Sequence, residues 1–296
     1  MTGFICIDKP QGITSFTATN RARAILGVKK AGHTGTLDPM ATGVLPVALS
    51  GASRFIALLP AHEKTYVARV RLGVTTDTLD VTGKVTGEFP VHVSPEQVRE
   101  VVQGFLGESE QLPPMYSAVS QNGVRLYELA RRGETVERKA RRIRISALEL
   151  TDLTETEFTL RVTCSAGTYI RSLASDIGQK LGTGAVLTAL RRTAANGFSE
   201  KDCVTLEELE RLRDENRLGE VLHPVDVCLS AYPALHVTAA QGVRFQNGGD
   251  LLASRVNGLH APGLYRVYAP EDRFLGIGEM PEEGDSLLVK RVFVDG

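Results

Sequence analysis

Two stretches of strict alternation set the first limits on how this chain folds. From Lys64 the run KTYVARVRL puts Tyr66, Ala68, Val70 and Leu72 on one face and Arg69 and Arg71 on the other. EFTLRVTCS repeats the pattern with Phe158, Leu160, Val162 and Cys164. A period of two marks a strand with one buried face, because successive side chains point to opposite sides of the backbone. FICI at 4–7 and VLPVALS read as further strands, followed by a short amphipathic segment, SRFIALLP. Helical spacing appears between them. In SPEQVREVVQGFLG, Ser94 is the cap, Pro95 takes the first position and Gln97 completes a capping box. Val98, Val101, Val102, Phe105 and Leu106 form its apolar stripe. Ser15 is expected to cap a helix running to about Leu26, with Gly27 beyond its end. Ile170, Leu173, Ile177 and Leu181 mark another helix, and a Thr205–Glu208 capping box opens an acidic one.

A length of 296 residues fits one large domain or two smaller ones, and 42% hydrophobic with 23% charged residues suits a soluble protein with a real core. Past about Tyr232 the texture changes. Short apolar runs are broken by NGGD, NGLHAPG, APEDR and PEEGD, with no helical period, and the chain closes on the strand-like LLVKRVFV. That pattern predicts a small barrel or sandwich, with a first domain over 1–229 and a second over 232–296. The net charge of −1 announces no polyanionic partner. Residues 120–145, however, hold eight Lys or Arg against three acids. There is no apolar run of membrane-spanning length and no signal-peptide core, so the expected location is the cytoplasm. Cys6, Cys164, Cys203 and Cys228 lack a CxxC spacing and read as reduced thiols rather than zinc ligands.

The stretch GHTGTLDPMATG at 32–43 surrounds a single carboxylate, Asp38, with Gly32, Gly35 and Gly43, and Pro39 follows it directly. Such a composition also suits a surface turn. Phosphate-binding loops, dinucleotide fingerprints, GxSxG elbows and HExxH pairs are missing from the sequence. A glycoside hydrolase would need a pair of carboxylates, and one alone sits in a motif. In SAGTYIRSLA, Tyr169 and Arg171 would point ~160° apart inside a regular helix. They serve one site only if the helix begins at or after them, which Gly167 permits. Arginine pairs with a carboxylate through two charge-assisted hydrogen bonds and keeps it ionised, so an Asp38–Arg171 pair is physically sensible. Their spacing alone does not establish it.

GHTGTLDPMATGVLPV resembles the aspartate-bearing motif of the bacterial TruB family, the synthases that form pseudouridine 55 in the TΨC arm of tRNA. IDKPQGITS, EKTYVARVRLG, PPMYSA (113–118), GTYIRSLASDIG and LTALRRTAANGFS (187–199) follow in the family's order over roughly residues 4–200. The tail looks like the family's PUA RNA-binding domain. The resemblance implies an α/β (α+β) pseudouridine-synthase fold: a mixed, largely antiparallel sheet crossed by a cleft, and a small C-terminal PUA-like β-barrel.

It also implies residue roles. Asp38 is the catalytic aspartate, on a loop whose glycines let the backbone approach RNA and whose Pro39 stiffens it. Arg171 pairs with it. Tyr66 stacks on the target base and is a candidate to remove or relay the C5 proton. Tyr169 and Leu190 line the uracil pocket, and His33 inserts into the T-loop. Residues 120–145, with Tyr127 and the helix-like LYELARR, correspond to an RNA-gripping insertion carrying Arg125, Arg131, Arg132, Arg141 and Arg142. Reactant and product are isomers, so no metal, cofactor or second substrate is implied. The implied partner is the T-arm of tRNA, bound by a monomer that extrudes the target base. Other readings are an RNA-binding or tRNA-folding chaperone on the same fold, and a synthase of different or guide-RNA-dependent specificity.

Overall fold

The computed structural model describes residues 1–294 apart from 118, 122 and 135. Ala118 of PPMYSA, Asn122 and Thr135 of the basic segment, and the last two residues of the tail lie outside the described residues. In chain order the strands of the first part are β1 (Gly3–Lys9), β2 (Ala31–His33), β3 (Thr42–Leu49), β4 (Lys64–Leu72), β5 (Val74–Thr76), β6 (Val85–Glu88) and β7 (Gly107–Gln111). There follow β8 (Ser120–Gln121), β9 (Val124–Arg125), β10 (Arg141–Thr151), β11 (Glu157–Cys164), β12 (Ala185–Ala195), β13 (Phe198–Ser199) and β14 (Cys203–Val204). The helices are α1 (Ser15–Ile25), α2 (Pro95–Gln103), α3 (Leu126–Arg131), α4 (Ile170–Leu181) and α5 (Leu206–Asp214).

One large sheet runs β14–β1–β3–β12–β4–β11–β10–β7, with β2 on β3 and β13 on β12. β1 with β14 and β12 with β3 are parallel. The remaining pairs are antiparallel, giving the mixed, largely antiparallel sheet that the resemblance implies. The alternation explains the register. Tyr66, Ala68, Val70 and Leu72 are buried with Phe158, Leu160, Val162 and Cys164, under α2 and α4. On the opposite face Arg69 and Arg71 both reach Glu157 at 2.8 Å. A full burial of a residue such as Val70 or Leu160 is worth ~1.5–3 kcal/mol, and a one-residue slip would expose the whole set. α1 and α5 cover Ile5, Ile7, Leu45 and Val47 to complete a second core.

Local chemistry corrects several boundaries. Thr14, not Ser15, caps α1 by accepting from Thr17 N, and the Ser15 hydroxyl turns to Leu37 instead. The Ser94–Gln97 box on α2 is complete, but the helix ends at Gln103 and Leu106 is exposed. Thr205 accepts from Glu208 N, yet the box is only half made because the Glu208 carboxylate pairs with Arg211.

Beyond residue 230 lie β15 (Ala234–His236), β16 (Leu251–Leu252), β17 (Gly263–Ala269), β18 (Arg273–Met280) and β19 (Ser286–Val292), in the order β15–β17–β18–β19–β16. A helix that the sequence pattern gave no sign of, α6 (Ala239–Gln246), packs on this small sheet behind a Thr238–Gln241 capping box. It buries only Gly242 and Phe245, which is why no apolar stripe announced it. The small sheet shares core with the large one. Phe55 lies 5.9 Å from Phe274 and 6.3 Å from Phe293 between ring centroids, and the Tyr232 hydroxyl donates to Leu58 O at 2.9 Å. The four cysteines are free. Among the described residues no helix is long and apolar enough to cross a membrane.

Candidate active site

The start of α4 is the pivot of the site. Gly167 takes φ +89, a backbone angle that glycine alone tolerates well, and Tyr169 is extended at φ −101, ψ 110 before the helix begins at Ile170. Tyr169 and Arg171 therefore straddle the helix boundary rather than oppose each other around it. Gln111, buried at the end of β7, holds Tyr169 by both backbone groups: Tyr169 N donates to Oε1 at 2.8 Å and Nε2 donates to Tyr169 O at 3.0 Å.

Arg171 is 4% exposed and each of its three guanidinium nitrogens donates. Nε donates to Asp38 Oδ2 at 2.9 Å and Nη2 to Asp38 Oδ1 at 3.2 Å. Nη1 donates to Thr78 O and Nη2 also to Tyr116 O, both at 2.8 Å. The two carbonyls fix the guanidinium, and the guanidinium fixes the carboxylate.

The loop carrying Asp38 is tied down on either side of it. Ser15 Oγ donates to Leu37 O at 3.0 Å and accepts from Leu37 N at 2.8 Å. Pro39 O accepts from Gly12 N at 2.8 Å and from the ammonium of Lys9, which is fully buried and also donates to Pro10 O and Ile13 O. Burial pulls that ammonium down to about 8, against the pull of Asp38 the other way. Arg192, also fully buried, donates to Gly35 O and Val44 O. Gly43 has φ +99, and a Cβ there would lie 2.2 Å from Arg192 O. The space at Gly43 thus serves the packing of β3 against β12, a different use from the approach to RNA that the resemblance implied.

Burial raises the Asp38 carboxyl above the ordinary aspartate range, and Arg171 offsets part of that rise through its charge and hydrogen bonds. A second carboxylate adds to it. Asp80 is 4% exposed, with Oδ2 3.7 Å from Arg171 Nε and Oδ1 accepting from Thr78 Oγ1, Thr82 N and Thr82 Oγ1. Arg171 thus lies between two carboxylates: Asp80, whose Oδ1 is held by its own loop and which lines the larger cavity, and Asp38, which lines both.

Asp38 sits where two cavities meet. Asp38, Thr36, Ser117 and Arg171 line both. The smaller, about 250 Å³, is a niche walled by Lys64, Tyr66, Tyr169 and Leu190. Leu190 reaches it because β12 bulges between Leu187 and Ala189, which lets Leu187 and Leu190, three residues apart, face the same core. Burial raises the Tyr66 phenol, so the hydroxyl holds its proton well past neutrality. The larger cavity, about 920 Å³, is lined by Phe16, His33, Asp80, Tyr127, Arg125 and Arg131 among others. The His33 ring nitrogens lie 3.3 Å from Thr19 Oγ1 and Thr36 Oγ1, and burial lowers its pKa.

Asp38, Tyr66, Tyr169, Arg171 and Leu190 are therefore brought to one niche and His33 to its antechamber. The basic segment divides. β8 pairs with β9 and α3 follows, and Arg125 and Arg131 of these elements line the antechamber. Arg141 and Arg142 begin β10 in the central sheet, paired with Gln111 and Glu110. Arg141 lines a separate cavity with Arg138 and Lys139, and Arg132 and Arg142 are exposed. Sequence reasoning missed Asp80, Gln111 and Lys9. The ring of threonines about Asp80 in TTDTLDVT was the available signal, since clustered hydroxyls beside an aspartate favour local capping bonds.

Comparison with known proteins identifies the family. The model of the TruB family pseudouridylate synthase N-terminal domain matches residues 23–170. Those of the tRNA pseudouridylate synthase B C-terminal domain and the pseudouridine synthase II TruB C-terminal region match 171–230 and 233–293. The tRNA pseudouridine synthase B of Aromatoleum aromaticum is 46% identical over 294 residues, covering 98% of this chain and 92% of that protein. The protein of the same name from Dechloromonas aromatica is 46% identical over 290 residues, covering 98% and 95%. Among solved structures, a chain of a Cbf5-Nop10-Gar1 complex superposes with a TM-score of 0.78 at 28% identity, over 99% of this chain and 85% of that one. A chain of an H/ACA RNP bound to a substrate RNA containing 2′-deoxyuridine gives 0.77 at 26% identity over the same shares. With the family's N-terminal domain model matched across half of the sequence and its relatives aligned nearly end to end, the chain belongs to the TruB family of pseudouridylate synthases.

Proposed function

We propose that this protein is a tRNA pseudouridine synthase that isomerises the T-loop uridine at position 55. The observation that carries this reading is the two-point Asp38–Arg171 pair at the junction of the two cavities, beside Tyr66 and Leu190. Such a niche suits a base taken out of its stack, held between an aromatic ring and an aliphatic side chain. The N1–C1′ bond of the uridine breaks, the base turns, and C5 joins C1′. The C5 proton leaves and N1 gains a proton, so atoms balance without a co-reactant. Whether the carboxylate adds to C1′, adds to the base or promotes a glycal-type elimination, it acts ionised, and Arg171 supplies the opposing charge. Tyr66, protonated and beside the niche, is suited to relay the C5 proton.

In this reading the enzyme acts as a monomer on the T-arm of tRNA in the cytoplasm. The test is an unmodified T-arm transcript tritiated at C5 of uridine, incubated with wild type and with Asp38→Asn. Tritium release by wild type alone, from the T-loop uridine, supports the reading. Binding by both proteins with release by neither overturns it in favour of an RNA-binding protein.

A further inference from the structure

Phe16 is 70% exposed, the most exposed large apolar side chain among the described residues. It stands on the second position of α1, where Thr17 and Asn20 are half-buried and Arg21 is exposed, so it is a lone ring rather than part of an apolar groove. A solitary phenyl held in water is a poor seat for a protein helix or a lipid surface, which need a contiguous apolar patch. It suits a single flat apolar face.

Its setting says which kind. Phe16 lines the larger cavity together with His33, Tyr127, Arg125 and Arg131. Aromatic rings interleaved with arginines are the combination by which proteins hold unpaired nucleotides, bases on the rings and phosphates on the cations. Its position is also fixed relative to the reacting centre. Ser15, one residue before Phe16, exchanges two hydrogen bonds with Leu37, one residue before Asp38. Thr14 caps the same turn, and one turn further on Thr19 Oγ1 lies 3.3 Å from His33 Nδ1. An exposed ring on a surface helix is ordinarily free to drift with the helix end. This one is locked in register with the catalytic loop, where a stacked base would be presented at a constant distance from Asp38.

We propose that Phe16 is a stacking platform for an unpaired base of the substrate RNA adjacent to the uridine held at Asp38. This rests on the reading of the protein as a synthase acting on a tRNA loop, and it adds a substrate-contacting residue outside the base niche.

The test uses the full chain and a set of T-arm stem-loops in which each loop nucleotide other than the target is replaced singly by an abasic one. Dissociation constants are measured for wild type, Phe16→Ala and Phe16→Tyr. Removing a stacked base platform is expected to weaken binding of the complete stem-loop about tenfold in Phe16→Ala, with Phe16→Tyr close to wild type. The alanine defect should vanish on one particular abasic RNA, the one lacking the stacked base. Equal binding by wild type and Phe16→Ala on the complete RNA overturns the proposal, as does an alanine defect of the same size on every abasic RNA. Tritium release by wild type, run in parallel, judges the synthase reading separately: coupling to one abasic site without release would keep the platform and discard the reaction.

Discussion

Arg171 and Asp38, 133 residues apart in sequence, meet through two hydrogen bonds of 2.9 and 3.2 Å. Burial raises the carboxyl and the guanidinium offsets part of that rise, so removing the guanidinium should raise it further. In the proposed reaction Asp38 acts ionised, so kcat/KM should fall on acidification through its pKa. Arg171→Gln removes the charge that lowers that pKa, so the acid limb of the profile should move to higher pH. The carboxylate also loses its anchor, and kcat should drop by ~10²-fold or more. A variant whose limb stays in place, with folding confirmed by circular dichroism, would show that the pair does not tune Asp38.

Asp80 pushes the opposite way. Its carboxylate lies 3.7 Å from Arg171 and its charge helps raise Asp38. Asp80→Asn should move the acid limb to lower pH, while kcat falls about tenfold as Arg171 loses one of the groups that hold it. The two variants thus carry opposite signs on one measurement, the pH dependence of kcat/KM. A shift in the same direction in both would defeat the electrostatic account.

Tyr66 combines a ring and a hydroxyl that a pair of substitutions separates. Tyr66→Phe keeps the ring in the niche and should bind the T-arm within a fewfold of wild type. If the hydroxyl relays the C5 proton, its kcat should fall by ~10²–10⁴-fold. Tyr66→Leu should lose affinity as well. Full kcat in Tyr66→Phe would leave the proton to another group.

The sequence made legible what depends on local pattern and hid what depends on assembly. Alternation in KTYVARVRL and EFTLRVTCS marked two central strands that lie side by side as β4 and β11, because period two is a direct print of one-sided burial. The helix boundary between Tyr169 and Arg171 followed from Gly167 and the need for both at one site. Residue roles came from the family's motifs, and the niche gathers the same five residues. Asp80 and Gln111 stayed hidden because each acts through partners reached across the fold, Arg171 and the Tyr169 backbone. The single basic segment proved to be two structures because charge along a chain carries no information about where a sheet begins. α6 was missed because a helix of eight residues that buries a glycine and a phenylalanine leaves no stripe.

That division of the basic segment has a consequence for RNA binding. Arg125 and Arg131 line the antechamber, with Arg131 5.4 Å from the centre of the Tyr127 ring, whereas Arg142 projects from the sheet strand β10. Replacing Arg125 and Arg131 together by Gln should weaken T-arm binding and reduce the slope of log K against log salt by about 0.7–0.9 for each phosphate no longer neutralised. Arg142→Gln should change the slope less. Equal effects from the two sets would mean that RNA runs along the sheet edge as well as over the cleft.

The packing of the two sheets against each other makes a prediction about the domain boundary expected near residue 230. Phe274 and Phe293 pack on the fully buried Phe55, while Ile277 of β18 joins the cluster of Phe4, Val44 and Phe198. A chain ended at residue 229 would expose that cluster, at a cost comparable to a large-to-small change at a buried phenylalanine, ~3–5 kcal/mol. For a protein of this size the midpoint of thermal unfolding should fall by about 10 °C. Phe274→Ala in the full chain should give a smaller fall in the same direction, because the other rings stay in place. An unchanged midpoint in the shortened chain would mean that the small sheet is an independent unit, and that its aromatic rings position it without stabilising the catalytic sheet.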